Sequence, residues 1–476
     1  MPTENSQSSG LHRTLGVMDL VFLNIAAILG IRWLSTAAQM GPSALALWVL
    51  AVLIFFIPSG LTVMELNSRD PGEGGIYVWS KSAFGELHGF IAGWTYWVNN
   101  LFYFPSLLIF IAGAFLFFGG EEWLGLGGSA YYNAGFSLTL LWIVIGANII
   151  GLKRGKWIQN IGAMATVAIF LTLVVTGIWA WKEVGSATTF VAADFVPGFT
   201  DFSTLTFFAT MTFAFAGLEL GSTMGGEVIN PTRSIPRAMV ISGLMVATIY
   251  ILGTGLLMVA IPDGEIDVIT GIPQAFAAIG ERIALPGLAF AGTLLVVISA
   301  TGGLGAWVSG VARIPYVIGI DRYLPAAIGR THPKWGTPYV ALLTQGIVVT
   351  GLMFAAVTDS TIEEAYIMLL DMTIILYFIP FLYMFAALPV LRKKAAGNND
   401  GIRLVPGGSL GVWIVAGLGF SATALSVGLA LIPPADSENP QLFVIKVAGG
   451  CALFVLAGLA FYLRNRKKAV GTSQSR

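Results

Sequence analysis

The 476-residue sequence is poor in the side chains that build disulfides and metal sites. It contains one cysteine, Cys451, and three histidines, His12, His88 and His332, which lie far apart along the chain. A single cysteine cannot form an intrachain disulfide, and separated histidines do not have the spacing of a zinc site. We therefore predict no metal ion, no cofactor and no catalytic centre, and we do not expect an enzyme.

Charged residues are also scarce, at 11% of the chain, whereas hydrophobic residues make up 56%. Soluble domains carry about 25% charged residues. The 25 basic and 25 acidic residues balance to a formal charge of zero, so no basic excess indicates nucleic acid as a partner. This composition predicts a membrane protein.

Long apolar runs predict about twelve membrane-spanning helices. Roughly 20 apolar residues cross the hydrocarbon core, and only helices or closed barrels satisfy their backbone hydrogen bonds in lipid. The predicted spans lie near residues 15–40, 43–65, 88–118, 133–152, 158–181, 202–226, 238–262, 284–312, 338–357, 364–391, 409–432 and 441–463. The polar intervals between them, such as 183–201 and 313–337, are long enough for a short amphipathic helix or a lid but not for an independent core.

The distribution of Lys and Arg predicts the orientation of the chain. When alternate loops are assigned to opposite sides, most of the 25 basic residues fall on the side of the two termini. Cytoplasmic loops are enriched in Lys and Arg, so both termini are expected in the cytoplasm. This gives a cytoplasmic tail at 1–14, a single transmembrane domain at 15–463 and a second cytoplasmic tail at 464–476, in a cell membrane.

Two spans carry small residues and a charge near their middles. These residues are Ala27, Ile28, Gly30 and Arg32 in the first span, and Ala216, Gly217 and Glu219 in the sixth. The two segments stand five helices apart, which is the spacing of an inverted repeat with repeat one at about 15–181, repeat two at about 202–391, and helices eleven and twelve at about 409–463. Broken helices near the midplane hold transporter sites and suit a zwitterionic amino acid. Close packing of small residues is the alternative.

Three motifs resemble those of the amino acid–polyamine–organocation (APC) permeases. Residues 65–79 (ELNSRDPGEGGIYVW), followed by 83–85 (AFG) and 89–94 (GFIAGW), resemble the signature between the second and third helices. Residues 226–237 (GEVINPTRSIPR) resemble the loop after helix six, and residues 313–338 resemble the loop after helix eight. The resemblance covers the whole chain and implies an all-α, LeuT-type fold with broken helices one and six. Among the branches, the chain is most similar to the glutamate/GABA-antiporter-like permeases.

The chain departs from the family pattern at two points. Many members have a Gly-Ser-Gly-like patch in helix one that holds the substrate carboxylate, whereas this chain reads Ala27, Ile28, Leu29 and Gly30. Fewer glycines leave less room for close approach, so the site or the substrate size is expected to differ. Some proton-driven relatives have a lysine on helix five, whereas residues 158–181 of this chain contain no basic residue. This absence favours exchange, or a proton carried elsewhere.

Three of the charged residues inside predicted spans lie away from the span ends and are candidates for function: Arg32, Glu219 and Asp371. Each costs about 2.5–3.5 kcal/mol at the bilayer centre and is therefore usually functional or paired. The resemblance implies a proton-sensitive acid at Glu219, and Asp371 is a second proton-coupling candidate. Arg32 facing the cavity would favour neutral or acidic amino acids over diamines. The alternative for each is a structural salt bridge, which for Arg32 would be formed with Glu219 or Asp371.

Aromatic residues form a second set of candidates. The resemblance implies that Phe213 and Trp307 are stacking or gating rings over the substrate, with Tyr377 as a further match. Packing or interface anchoring is the alternative for each of them. The aromatic clusters at 94–97 and 102–104 are interpreted as lipid-facing or packing surface.

Together these features predict a secondary amino acid permease or exchanger that works by alternating access, for neutral or acidic amino acids. Its partners would be the amino acid, membrane lipids, and a proton or counter-substrate, and no oligomeric state is predicted. One alternative is a proton-coupled carrier of polyamines or cationic amino acids. The other is a sensor that binds an amino acid without transporting it.

Overall fold

The computed structural model describes residues 13–198, 202–262, 265–267, 270–321, 323–359, 362–396, 402–433 and 440–473. Nearly all of the predicted amino-terminal tail, residues 1–12, and the last three residues of the carboxyl-terminal tail lie outside these ranges. Across the described residues the chain is helical. Its only extended pairings there are two isolated bridges, Leu15 with Val228 and Glu73 with Met224.

The described residues of the first half of the chain form nine α-helices. They are α1 (Val17–Ile28), α2 (Arg32–Ala38), α3 (Ser43–Ala51), α4 (Ile57–Arg69), α5 (Ile76–Phe84), α6 (Glu86–Leu116), α7 (Glu121–Leu124), α8 (Ala130–Ile149) and α9 (Leu152–Val184). A π-helical turn at Val52–Phe56 joins α3 to α4, so that the two make one continuous span. Helix α5, which the sequence analysis did not predict, lies between the second and third spans.

Ten further α-helices lie in the part of the second half that the structure describes. They are α10 (Phe202–Ala214), α11 (Leu220–Thr223), α12 (Pro231–Ala260), α13 (Gly271–Arg282), α14 (Gly287–Val311), α15 (Arg313–Ile320), α16 (Tyr339–Asp359), α17 (Ile362–Ala396), α18 (Gly408–Leu429) and α19 (Pro440–Ser473). Helix α13 is amphipathic and lies in the interval between the seventh and eighth predicted spans. Its side chains from Ile272 to Ile279 pack inward at helical spacing.

Ten helices in the described part are long and apolar enough to cross a membrane, and the bent pair α1 and α2 makes eleven if it is counted as one span. The sixth predicted span, 202–226, is present as the 13-residue α10, a break, and the short α11. It is not among these ten helices because the break divides it into two helices that are too short to cross a membrane. The all-helical multi-pass architecture is therefore confirmed, whereas the count of twelve stays a prediction.

The outer faces of the bundle are apolar. Leu410 and Trp413 on α18 and Ile445 and Leu453 on α19 are each more than 60% exposed. Each Å² of such surface costs about 25 cal/mol in water, so these faces are suited to lipid.

A buried carboxylate explains part of the motif at 65–79. Glu65 pairs with Arg69 and with Arg392, each at 3.1 Å, and accepts hydrogen bonds from the backbone N–H groups of Leu404 and Val405. All of its partners are thus within the protein. Glu65 therefore fastens the end of α4 to α17 and to the segment that leads into α18.

Candidate functional site

The first and sixth spans are both interrupted near the centre of the bundle. Helices α1 and α2 meet at an angle of 44°, and α10 ends at Ala214, six residues before α11 begins. Gly217 in the second break has a φ of +128°, and an added Cβ would lie 3.0 Å from Ile28 and 3.3 Å from Trp307. Only glycine adopts this conformation without strain and leaves that space. The breaks predicted from the sequence are therefore present, and they face each other.

A small cavity lies between the breaks. The predicted site residues that line it are Ala27, Ile28, Phe213, Ala216, Trp307 and Tyr377. The structure thus brings together six positions from α1, the second break, α10, α14 and α17 that are far apart in sequence. Gly217 contacts the same space through Ile28 and Trp307.

Aromatic rings enclose this cavity. The Tyr377 ring lies 5.5 Å from Phe213 and 5.8 Å from Trp307, both in edge-to-face contact. Trp33 contacts Phe213 edge-on at 5.6 Å, and Tyr103 lies 5.7 Å from Trp307. Large rigid rings with few rotamers exclude water around a small ligand at low entropic cost.

The carbonyl groups exposed by the breaks are satisfied by two side chains. The indole Nε1 of Trp307 donates to the carbonyl oxygen of Ala27 at 2.9 Å. The hydroxyl of Tyr250, on α12, lies against the carbonyl oxygens of both Ile28 and Ala214, at 3.1 Å from the latter. Because the last carbonyls of a helix lack internal partners, these contacts hold both broken ends in position. Tyr250 was not among the predicted site residues, because in the sequence it is only a lone tyrosine within an apolar span.

Glu219 is buried beside the cavity and all of its partners are neutral. The Tyr96 hydroxyl donates to Oε1 at 2.8 Å, the Tyr377 hydroxyl donates to the same oxygen, and the Gly217 N–H donates to Oε2 at 3.1 Å. These donors come from α6, α17 and the break itself. Glu219 therefore links three elements that line the cavity, and its protonation would change contacts with each of them.

Arg32 lies in a small adjoining cavity, which Gly30 also lines. Ala27 and Tyr103 line both cavities. The Arg32 side chain is 1% exposed, and its guanidinium stands 4.4 Å from the Trp33 ring and 5.0 Å from the Tyr103 ring. Within the described residues, Nη1 makes a long contact of 3.5 Å with the Tyr366 hydroxyl, and Nε and Nη2 have no hydrogen-bond partner there.

The salt bridges considered for Arg32 are not formed within the described residues. Glu219 is held by Tyr96, Tyr377 and Gly217, and no ion pair joins Arg32 to either acid. Asp371 does not line either cavity, and it interacts instead with Cys451 on α19. The structure therefore keeps Arg32 and Glu219 at the site and separates Asp371 from it.

The aromatic clusters at 94–97 and 102–104 were interpreted as lipid-facing or packing surface; all six of their rings are buried, so the lipid-facing interpretation was wrong. Tyr96 is fully buried on Glu219, and Tyr103 lines both cavities. Asn99 and Asn100, which the sequence analysis did not select, also line the central cavity. A pair of amides in the middle of an apolar span was the signal that could have found this face. No three metal-ligand side chains come together anywhere in the part of the chain that the structure describes.

Comparison with known proteins gives consistent matches over nearly the whole chain. A family model described as amino acid permease matches residues 15–456. An uncharacterized transporter of Legionella pneumophila is 30% identical over 93% of this chain and 95% of the relative. A Lactococcus lactis protein named as a probable agmatine/putrescine antiporter is 26% identical over 93% of this chain and 92% of its own. A glutamate/gamma-aminobutyrate antiporter of Lactococcus lactis is 24% identical over 87% and 82%.

A solved structure gives the same architecture. The crystal structure of MhsT in complex with L-phenylalanine superposes with a TM-score of 0.57 and 14% identity, covering 95% of this chain and 99% of that one. At this identity the likeness concerns the fold alone. It confirms the LeuT-type arrangement that the motifs implied.

Proposed function

The chain belongs to the amino acid permease family, as its motifs predict, and from this membership we propose that it carries neutral or acidic amino acids across a cell membrane by alternating access. The observation that carries the proposal is the closed aromatic cavity between the two broken spans. Substrate sites of such transporters lie where helices break near the midplane. Ala27, Ile28, Gly30, Arg32, Phe213, Ala216, Gly217, Trp307 and Tyr377 are the proposed binding residues.

Arg32 supports a substrate that carries a carboxylate. Two of its guanidinium nitrogens are buried without a hydrogen-bond partner among the described residues, and a buried unpaired donor costs about 1–3 kcal/mol, more if it is charged. A substrate carboxylate can accept from both nitrogens in the planar geometry that a guanidinium favours. A diamine would bring a second positive charge to the same space, so the polyamine alternative is disfavoured.

Glu219 is the proposed proton-coupling residue. It links α6, α17 and the break before α11 through hydrogen bonds, whereas Asp371 lines neither cavity. A proton taken up on Glu219 would remove the charge that organises these three elements. Exchange of one amino acid for another without a net proton is the alternative mode, and it needs no titrating group.

The basic loops support the orientation with both termini in the cytoplasm. We refer to the end of the bundle that carries Thr14, Glu227, Tyr323 and Asn465 as the terminal face. Its parts are joined by hydrogen bonds from the Thr14 N–H to the Glu227 carbonyl and from Asn465 to the Tyr323 carbonyl. In the proposed orientation the terminal face is cytoplasmic.

Uptake into proteoliposomes tests the proposal. Labelled glutamate, glutamine, serine and putrescine would be offered with and without an internal amino acid load and an inward proton gradient. Uptake that requires the load indicates exchange, and uptake driven by the gradient alone indicates proton symport. Uptake of putrescine in preference to every amino acid would overturn the substrate class. Amino acid binding without uptake under any condition would favour the sensor.

A further inference from the structure

Another buried carboxylate, that of Glu73, lies away from the cavity, at a seam on the terminal face. The seam consists of the segment 70–75 after α4, the segment 222–228 around the end of α11, and Arg313 at the start of α15. Glu73 forms a backbone bridge with Met224, and the Gly74 N–H donates to the Thr223 carbonyl at 3.2 Å.

The two segments of the seam are in close contact. A Cβ added to Gly225 would lie 2.2 Å from the carbonyl oxygen of Pro71, and a Cβ on Gly75 would lie 3.3 Å from the backbone of Ser222. The residues from Ser222 to Gly225 are buried. Because they follow directly on the break that lines the cavity, the seam must separate before the cavity can open toward the terminal face.

The single cation of the seam is fully engaged. Arg313 is 1% exposed, and its Nε and Nη2 contact the two carboxylate oxygens of Glu227 at 2.8 and 3.1 Å. Its remaining nitrogen, Nη1, donates to the backbone carbonyl and the hydroxyl of Ser309. All three guanidinium nitrogens therefore have partners, and no hydrogen bond or ion pair joins Arg313 to Glu73 within the described residues.

Glu73 is the acid left over. Both of its carboxylate oxygens are buried, and neither has a hydrogen-bond partner of good geometry, although Gly226 lies against Oε1. Burial and the neighbouring charge of Glu227 raise the pKa of Glu73 well above its ordinary range, against the opposing charge of Arg313. An isolated ionised carboxylate in such a place would be expensive, and such groups remain neutral instead.

The other titratable groups around Glu73 do not supply a compensating charge. Tyr316 faces it from α15. Asp70 lies on its own segment, and burial raises the pKa of that carboxyl too. Tyr77 donates its hydroxyl to Asp321. Among the described residues, the charges that act on Glu73 are those of Glu227 and Arg313.

We propose that Glu73 is a proton-binding site that couples protonation to the opening of the terminal seam. The carboxyl group holds its proton while the seam is closed and releases it to water when the seam separates. Once ionised, Glu73 and Glu227 place two negative charges against one guanidinium, so re-closure requires the proton to return. Alkaline conditions at the terminal face therefore favour the open seam. The link to transport rests on the proposed function, but the coupling itself does not require a substrate.

Distance measurements between spin labels across the seam test this inference. Labels at Gly72→Cys and Ile229→Cys, both exposed positions, would be read in a Cys451→Ala background by double electron–electron resonance from about pH 5 to about pH 9. We expect the fraction at longer distance to rise at least about threefold with pH. Glu73→Gln should hold the short distance throughout, while Glu73→Asp should retain the pH dependence.

The matched control is Glu265→Gln, which neutralises an exposed acid in the loop before α13 and should leave the profile unchanged. The same pH dependence in Glu73→Gln, or no pH dependence in the parent, would overturn the inference. A parent protein whose label distance does not change with pH would overturn the inference even if Glu73→Gln does not fold. No uptake is measured, so a pH-dependent seam in a protein that moves no amino acid would refute the proposed function alone.

Discussion

Two buried arginines, Arg32 and Arg313, show how differently the same side chain can be used in one bundle. Each is 1% exposed. Arg313 engages both oxygens of Glu227, whereas Arg32 stands among aromatic rings with a single long contact to Tyr366. Burial alone therefore does not reveal the role of a charge. What distinguishes the two is whether an acid in the described part of the chain provides the counter-charge.

The difference has an energetic meaning. A buried pair holds two segments together because removing one partner leaves the other charge uncompensated. A buried guanidinium near aromatic rings gains some cation–π stabilisation, yet its free N–H groups remain unsatisfied. Arg313 is therefore interpreted as a structural tie at the terminal face, and Arg32 as a group that gains a partner when substrate binds.

Removing Arg313 should have the largest effect on stability. Arg313→Gln leaves Glu227 buried and unpaired beside Glu73, so we expect the free energy of unfolding to fall by about 3–5 kcal/mol. Thermal unfolding of the purified protein in detergent would measure this. The double variant with Glu227→Gln should recover much of the loss. A loss no larger than that of Arg32→Gln would remove the contrast between the two arginines.

Removing Arg32 should affect substrate preference rather than stability. Arg32→Gln is expected to weaken competition by glutamate at least about tenfold, equivalent to about 1.4 kcal/mol, while competition by the isosteric glutamine changes little. Arg32→Lys retains the charge but not the planar donor pair. Its competition by glutamate should therefore lie between that of the wild type and that of Arg32→Gln. The assay is inhibition of labelled uptake in proteoliposomes. Equal losses for glutamate and glutamine would show that Arg32 does not bind the side-chain carboxylate, which only glutamate carries.

Neutralising Glu219 should have a smaller effect, because two of its three donors keep an acceptor. The amide oxygen of Glu219→Gln can still accept from Tyr96 and Tyr377, whereas its amide nitrogen cannot accept from the Gly217 N–H. Replacing a charge-assisted hydrogen bond by a neutral one costs about 1 kcal/mol, or roughly fivefold in uptake rate. If the proton travels on Glu219, wild-type uptake falls as external pH rises and the variant profile is flat. Asp371→Asn serves as the control and should leave the pH profile intact.

The smallest effect is expected from Tyr366→Phe. This change removes the 3.5 Å contact to Arg32 but keeps the ring beneath the guanidinium. A contact of that length contributes little, so glutamate competition should change by less than about threefold. An effect as large as that of Arg32→Gln would mean that Tyr366 positions the guanidinium. Ser309→Ala removes one neutral partner of Arg313 at the terminal face. Its thermal unfolding in detergent gives the comparison for the loss of one neutral partner from the other arginine.

The sequence by itself determined the class of protein and the position of both breaks. Apolar length and low charge require helices in lipid, because every backbone polar group must be satisfied inside its own segment. Small residues beside Arg32 and Glu219 marked the two interrupted spans, and the motifs on the loops identified the family. These features are local in the chain, so that a pattern of neighbouring residues is enough to find them.

Only the tertiary structure decided which charges meet. Spacing could not tell that Arg32 has no acid beside it among the described residues, that Asp371 lies against α19, or that Tyr96 and Tyr103 reach the site from clusters interpreted as lipid-facing or packing surface. It also gave no sign of Glu73 beside Glu227 and Arg313, since these three come from distant segments. Pairing in a membrane bundle depends on how helices rotate and cross, and that is set by packing over the whole fold.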